Sequence, residues 1–128
     1  MTKKILIIED DANLLYGLQA KFRVAGFITA ADQGVNQAEP MEKIKTFKPD
    51  YIILDLILPK IDGFNLLSEI KANQETSGIM VFVFTNLSDR DSRERAEKLG
   101  ADFYLIKTDI NLDDFVAKFK KIIARAES

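Results

Sequence analysis

The reading of this chain turns on residues 49–63, Pro49-Asp50-Tyr51-Ile52-Ile53-Leu54-Asp55-Leu56-Ile57-Leu58-Pro59-Lys60-Ile61-Asp62-Gly63. Tyr51–Leu54 is an apolar run held between two aspartates, Asp50 and Asp55. A run that does not alternate polar with apolar residues suits a strand buried on both faces, as in a parallel sheet. Asp55 therefore stands at the carboxyl end of such a strand. Phe64, Leu67 and Ile70 then recur at i, i+3 and i+6 after Asp62-Gly63, so a helix follows.

The same pair of signals repeats on both sides. Ile5–Ile8 lies between Lys4 and Glu9, Ile79–Phe84 ends at Thr85-Asn86, and Phe103–Ile106 ends at Lys107. Phe27–Ala31 is a weaker fifth run. The intervening segments read as helices. Leu15, Leu18, Phe22 and Ala25 fall at helical spacing and stop at Gly26. A charged stretch from Asp89 to Leu99 stops at Gly100. Leu112, Phe115, Val116, Phe119, Ile122 and Ile123 form one stripe, with Asn111 as its N-cap. The second helix is set by Pro40, which belongs in a first turn because a proline further in would break it. Met41 and Ile44 then face inward, and Asp32 to Glu39 form a loop. Five strands alternating with five helices imply an α/β fold: βα units, right-handed crossovers and a parallel sheet covered on both faces. At 128 residues the expectation is one domain, 1–128, with no linker or repeat.

Composition removes several chemistries. Hydrophobic residues are 47% and charged residues 30%, the balance of a soluble globular domain. A net charge of −2 recommends neither nucleic acid nor an anionic membrane as a direct partner. Without cysteine there are no disulfides, thiolate metal sites or thiol nucleophiles. Without histidine there is no zinc site of the usual kind, no Ser-His or Cys-His catalysis, and no phosphohistidine on this chain. The start, Met1-Thr2-Lys3-Lys4, leads into an apolar stretch too short for a signal-peptide core, and no run approaches membrane-spanning length. The expected location is the cytoplasm.

In parallel α/β sheets ligands bind beyond the carboxyl ends of the strands. Glu9, Asp10 and Asp11 follow the first strand, Asp55 the third, Thr85 the fourth and Lys107 the fifth; the second ends in small residues and Asp32. Mg²⁺, or Mn²⁺ in its place, takes oxygen ligands, and Glu9, Asp10 and Asp55 supply carboxylates whose mutual repulsion a divalent cation relieves. An aspartate can attack phosphorus to form an acyl phosphate. Lys107 and the Thr85 hydroxyl are then the groups to receive phosphoryl oxygens. Taken singly, each residue has a plainer reading: Asp10 or Asp11 as a helix cap, Asp55 as a turn residue before Pro59, Thr85-Asn86 as a turn, Lys107 as a solvated charge. The right residue types at four strand ends favour the joint reading, with Asp11 kept as an N-cap.

The stretches Ile5–Asp11, Pro49–Gly63, Val81–Thr85 and Gly100–Lys107 resemble the receiver domain of two-component response regulators, and the resemblance covers the whole chain. The second is the most specific: an acceptor aspartate, a proline four residues on, then Asp-Gly. The resemblance implies a flavodoxin-like (βα)5 sandwich with strand order 2-1-3-4-5. It implies an acidic pair, Glu9 and Asp10, an acceptor, Asp55, a switch hydroxyl, Thr85, and a phosphate-pairing lysine, Lys107. It also implies Mg²⁺ binding through the Ile57 backbone carbonyl and an inward-swinging aromatic, Tyr104; the plainer reading of Tyr104 is a packed core aromatic. The implied partners are a histidine kinase or phosphotransfer protein as donor and an unknown downstream protein. The implied state is a monomer or a weak phosphorylation-dependent dimer. Such a chain is a signalling domain and not a turnover enzyme, although it can promote its own phosphorylation and slow dephosphorylation. The chain stops soon after the fifth helix, so no output domain is expected within it.

Three positions depart from the family pattern. Lys107 is followed by Thr108 where a proline with a cis bond is usual; a non-proline cis bond costs about 2.5–4 kcal/mol, so a trans bond and a different path into the last helix are expected. Asn86 stands where a small residue is usual and is expected to restrict the inward movement of Tyr104. Ile57 and Leu87 are apolar at positions that flank the phosphoryl group, so neither orients an attacking water and slow hydrolysis is expected. The charged fourth helix reads as a solvated face in preference to a salt-bridged dimer face. Rival readings are a phosphorylation-independent interaction module of the same fold and a metal-dependent phosphohydrolase. Ile57 disfavours the second, because it occupies the place of that enzyme's second aspartate. A nucleotide-binding enzyme is weaker still, since no glycine-rich loop follows the first strand.

Overall fold

The computed structural model describes residues 2–127. The elements run β1 (Lys4–Ile8), α1 (Ala12–Val24), β2 (Ile28–Asp32), α2 (Ala38–Phe47), β3 (Tyr51–Leu54), α3 (Gly63–Ala72), β4 (Met80–Thr85), α4 (Arg90–Lys98), β5 (Phe103–Ile106) and α5 (Leu112–Glu127), with a 3₁₀ turn at Lys107–Asp109. All strand pairs are parallel, in the order β2-β1-β3-β4-β5. The expected flavodoxin-like arrangement is what the chain forms.

The unbroken apolar runs follow from burial on both sides. Successive strand residues point to opposite faces. Leu6, Ile8, Ile52, Leu54, Val81 and Val83 pack with Ile44, Leu66, Leu67, Ile70 and Ala96 on one side. Ile5, Ile7, Tyr51, Ile53, Phe82 and Phe84 pack with Leu15, Leu18, Phe22, Phe115, Phe119 and Ile123 on the other. Phe22 anchors that second layer, with its ring edge-on to Phe119 at 5.0 Å and to Phe27 at 5.7 Å.

Side chains close the helix starts. Asp11 accepts from the N–H groups of Asn13 and Leu14, confirming it as the cap of α1. Asn111 accepts from the Asp114 N–H at 2.8 Å and its amide donates back to the Asp114 carboxylate. Gly26, at φ +99°, ends α1: its N–H donates to Arg23 O and the Phe27 N–H to Phe22 O.

Some boundaries differ from the sequence reading. The loop expected over Asp32 to Glu39 covers only residues 33–37. Asn36 Oδ1 accepts from the Ala38 and Glu39 N–H groups, so α2 starts two residues earlier, with Pro40 still in its first turn. β2 begins at Ile28 because the Phe27 N–H is spent on α1, and it extends to Asp32, which pairs with Ile8. β4 begins at Met80 because the Ile79 N–H closes a turn to Thr76. The Lys107–Thr108 bond is trans, as expected. On α4 the ion pairs run along the helix itself, Arg90 to Glu94 and Arg93 to Glu97. Among the described residues no helix is long and apolar enough to cross a membrane.

Candidate functional site

The sheet register assembles the site. β1 pairs with β3 so that Ile8 lies beside Leu54, and the Asp55 N–H continues the ladder to Ile8 O at 3.0 Å. Glu9 and Asp55 therefore leave adjacent strands at the same level. Glu9 is 3% and Asp55 5% exposed, whereas Asp10 is open to solvent. Carboxylate oxygens of all three lie within 4.8 Å of one another. β5 pairs with β4 through Ile106 and Thr85, which delivers Lys107 one residue further along. Its ammonium is 2.5 Å from Glu9 Oε1 and 2.6 Å from Asp55 Oδ2. The Thr108 substitution thus leaves the lysine in place: the 3₁₀ turn begins at Lys107 and carries the chain on to α5.

Both buried carboxylates are bonded through both oxygens. Glu9 Oε2 accepts from the Asp11 N–H, and Asp55 Oδ1 from the Ile57 N–H, each at 3.0 Å. Burial raises the Glu9 carboxyl above its ordinary value, and the nearby Asp55 adds to this; hydrogen bonds from Lys107 and the Asp11 amide oppose it. Burial works the other way on Lys107, but its bonds to Asp55 and Glu9 outweigh it and hold the ammonium above the ordinary lysine value. Three oxygen donors of this hardness, gathered at one point, suit Mg²⁺ or Mn²⁺.

The loop from Asp55 into α3 is tight. Ile57 and Asp62 form an antiparallel bridge, and Asp62 caps α3 through the Phe64 and Asn65 N–H groups. A Cβ on Gly63 would sit 2.5 Å from Leu56 Cα and 2.6 Å from Leu56 O. The Asp-Gly pair therefore lets the helix start close over the backbone that follows Asp55. Ile57 is half exposed at the mouth of the site.

Thr85 is fully buried, and its hydroxyl accepts a long 3.4 Å bond from the Leu87 N–H. The Tyr104 hydroxyl donates to the Leu87 carbonyl at 2.7 Å, and the Arg93 guanidinium lies 5.6 Å from the ring centroid. Burial, followed by the charge of Asp89, raises the Tyr104 phenol, with Arg93 opposing. Tyr104 is thus packed inward here. Asn86, next to Thr85, is exposed.

Two groups beside the site received no role from the sequence. The backbone of Leu87, which touches both Thr85 and Tyr104, carries no side-chain signature. Asp32 is buried at the end of β2 on the same rim, and its carbonyl accepts from the Glu9 N–H at 3.0 Å. Its place at a strand end was the available signal.

A family model for the response regulator receiver domain matches residues 5–120. The alkaline phosphatase synthesis transcriptional regulatory protein PhoP of Bacillus subtilis is 31% identical, across 99% of this chain and 51% of its own. The transcriptional regulatory protein PdtaR of Mycobacterium tuberculosis is 31% identical, across 96% of this chain and 58% of its own. The chain spans about half the length of the curated relatives it matches. A CheY-like response regulator receiver domain from Methanospirillum hungatei has the same fold, with a TM-score of 0.87 at 23% identity over 99% of this chain and 98% of that one.

Proposed function

The chain belongs to the response regulator receiver family, and from that premise we propose that Asp55 accepts a phosphoryl group from a phosphohistidine on a histidine kinase or phosphotransfer protein. The carrying observation is the setting of Asp55: buried, within the Glu9 and Asp10 carboxylate cluster, and bonded to the Lys107 ammonium at 2.6 Å.

A carboxylate oxygen of Asp55 attacks phosphorus. The P–N bond to the donor imidazole, protonated on its other nitrogen, breaks; the electron pair leaves on the ring nitrogen that held the phosphoryl group, and the ring departs as neutral imidazole. Since this chain has no histidine, the donor is another molecule. Glu9, Asp10, Asp55 and the Ile57 carbonyl are the groups that would hold Mg²⁺, with Mn²⁺ as a substitute. The ion supplies neutralisation of charge on the phosphoryl oxygens. Lys107, already anchored between Glu9 and Asp55, is placed to follow the new negative charge. The Thr85 hydroxyl, which only accepts a long bond at present, has its proton free to donate to a phosphoryl oxygen. Such a shift disturbs the Leu87 backbone, to which Tyr104 is also bonded, and so reaches the surface around β5 and α4. That surface is the proposed readout for a downstream protein.

Intact-mass measurement with a small phosphodonor, with and without Mg²⁺, tests this. Wild type should gain one phosphoryl group only with Mg²⁺, and Asp55→Asn should gain none. Absence of any gain in folded wild type would favour a phosphorylation-independent binding module.

A further inference from the structure

Asp32 is 2% exposed at the carboxyl end of β2. Its Oδ1 accepts a 2.7 Å hydrogen bond from the Gly34 N–H. Its Oδ2 lies 3.4 Å from the Lys43 ammonium but takes part in no hydrogen bond, and Lys43 donates to the Ala31 carbonyl at 2.8 Å. Burying a carboxylate is costly unless it is paired and hydrogen-bonded, and here the hydrogen bond goes to backbone. That backbone leads to the site. Gly34, at φ +70°, lies against Leu58: a Cβ there would be 3.2 Å from Leu58 Cδ2 and 3.5 Å from Leu58 Cβ. Leu58 is buried and directly follows Ile57, whose N–H donates to Asp55. The Asp32 carbonyl separately accepts from the Glu9 N–H.

We infer that Asp32 is a positioning residue for the acceptor loop: by holding Gly34 against Leu58 it fixes the backbone of residues 55–58, and with it the Asp55 carboxylate. The inference rests on the reading of Asp55 as acceptor. Lys43 balances the buried charge, so the role is geometric and belongs to the hydrogen bond.

The test compares wild type, Asp32→Asn and Asp32→Ala. One readout is amide hydrogen exchange at Ile57 in metal-free protein, referenced to Ile53 in the core of β3. The other is Mg²⁺ affinity by calorimetry. Asp32→Ala should speed exchange at Ile57 relative to Ile53 by about fivefold, the worth of one ordinary hydrogen bond, and weaken Mg²⁺ binding by a similar factor. Asp32→Asn keeps an acceptor for the Gly34 N–H and should restore both. Equal change at Ile57 and Ile53 would mean a merely structural role and overturn the inference. Asparagine as damaging as alanine would assign the effect to charge and also overturn it. Should Asp32→Ala not fold, Leu58→Ala removes the contact with Gly34 while leaving Asp32 and its bond in place, and it must raise exchange selectively at Ile57 relative to Ile53. A wild type that neither binds Mg²⁺ nor takes up phosphate would refute the reading of Asp55, while the Ile57 exchange still decides the role of Asp32.

Discussion

Replacing Lys107 with methionine separates two effects of one ammonium. Methionine keeps an unbranched apolar stem and removes the charge that lies 2.5 Å from Glu9 and 2.6 Å from Asp55. Two buried carboxylates are then left facing each other without a cation. Removing one partner of a buried ion pair costs about 3–5 kcal/mol. The Lys107 side chain keeps 14% of its surface in water, and Glu9, already raised by burial, can take up a proton. The lower end, about 3 kcal/mol, is therefore expected in urea melts with chelator present. Cation binding should change in the opposite direction. Like unit charges about 4 Å apart cost about 1 kcal/mol at the dielectric of water, so a divalent ion drawn to the same carboxylates meets about 2 kcal/mol of repulsion from the ammonium. Since about 1.4 kcal/mol is tenfold, the variant should bind Mg²⁺ at least about tenfold more tightly by calorimetry. The stability difference also has a pH signature. A lysine held above its ordinary value of 10.5 contributes stability that is complete below that value and lost as pH rises through the folded one. Once the variant's carboxylates are ionised, the gap between wild type and variant should stay flat up to about pH 10 and close only above it. A folded Lys107→Met protein whose Mg²⁺ affinity is unchanged or weaker would refute the idea that ammonium and cation compete for one set of carboxylates.

Two further outcomes follow from the acceptor loop. Gly63→Ala forces a methyl to within 2.5 Å of Leu56 Cα, against backbone that cannot yield cheaply, and should cost about 1–3 kcal/mol in chemical denaturation together with a slower mass gain from the phosphodonor. With Ile57 half exposed and apolar, and Leu87 apolar beside Thr85, the phosphorylated form should decay slowly, and Ile57→Asn should shorten its lifetime; a wild-type decay as fast as that variant's would count against a role for these side chains in excluding oriented water.

Much of the fold was legible because strands buried on both faces must be apolar throughout. Ile5–Ile8 and Tyr51–Leu54 could hardly be anything else, and alternation with amphipathic segments dictates the parallel sheet. The site was legible for a related reason: polar residues that interrupt such runs mark strand ends, and all strand ends of one sense share a rim. That logic located Glu9, Asp55, Thr85 and Lys107 before any distance was known. It also listed Asp32 without finding its use: the bond to Gly34 is local, but the packing of Gly34 on Leu58 joins segments far apart in the chain. Boundaries were less legible where one backbone N–H had two possible employers. Phe27 could have opened β2 but closes α1, and Asn36 starts α2 ahead of Pro40. The Leu87 backbone was invisible for a simpler reason: every residue has an amide and a carbonyl, and only the fold says which ones face something consequential.

The two contacts on Leu87 have a mechanical corollary. Its N–H and its C=O belong to consecutive peptide planes hinged at a single α-carbon, and Thr85 pulls on one while Tyr104 pulls on the other. Two rigid plates joined at one pin cannot be turned independently when their outer edges are tethered. If Thr85 moves as proposed, torque on its side would either stretch the Tyr104 tether or rotate the pin, and the proposed signal would cross from interior to exterior over the span of one residue.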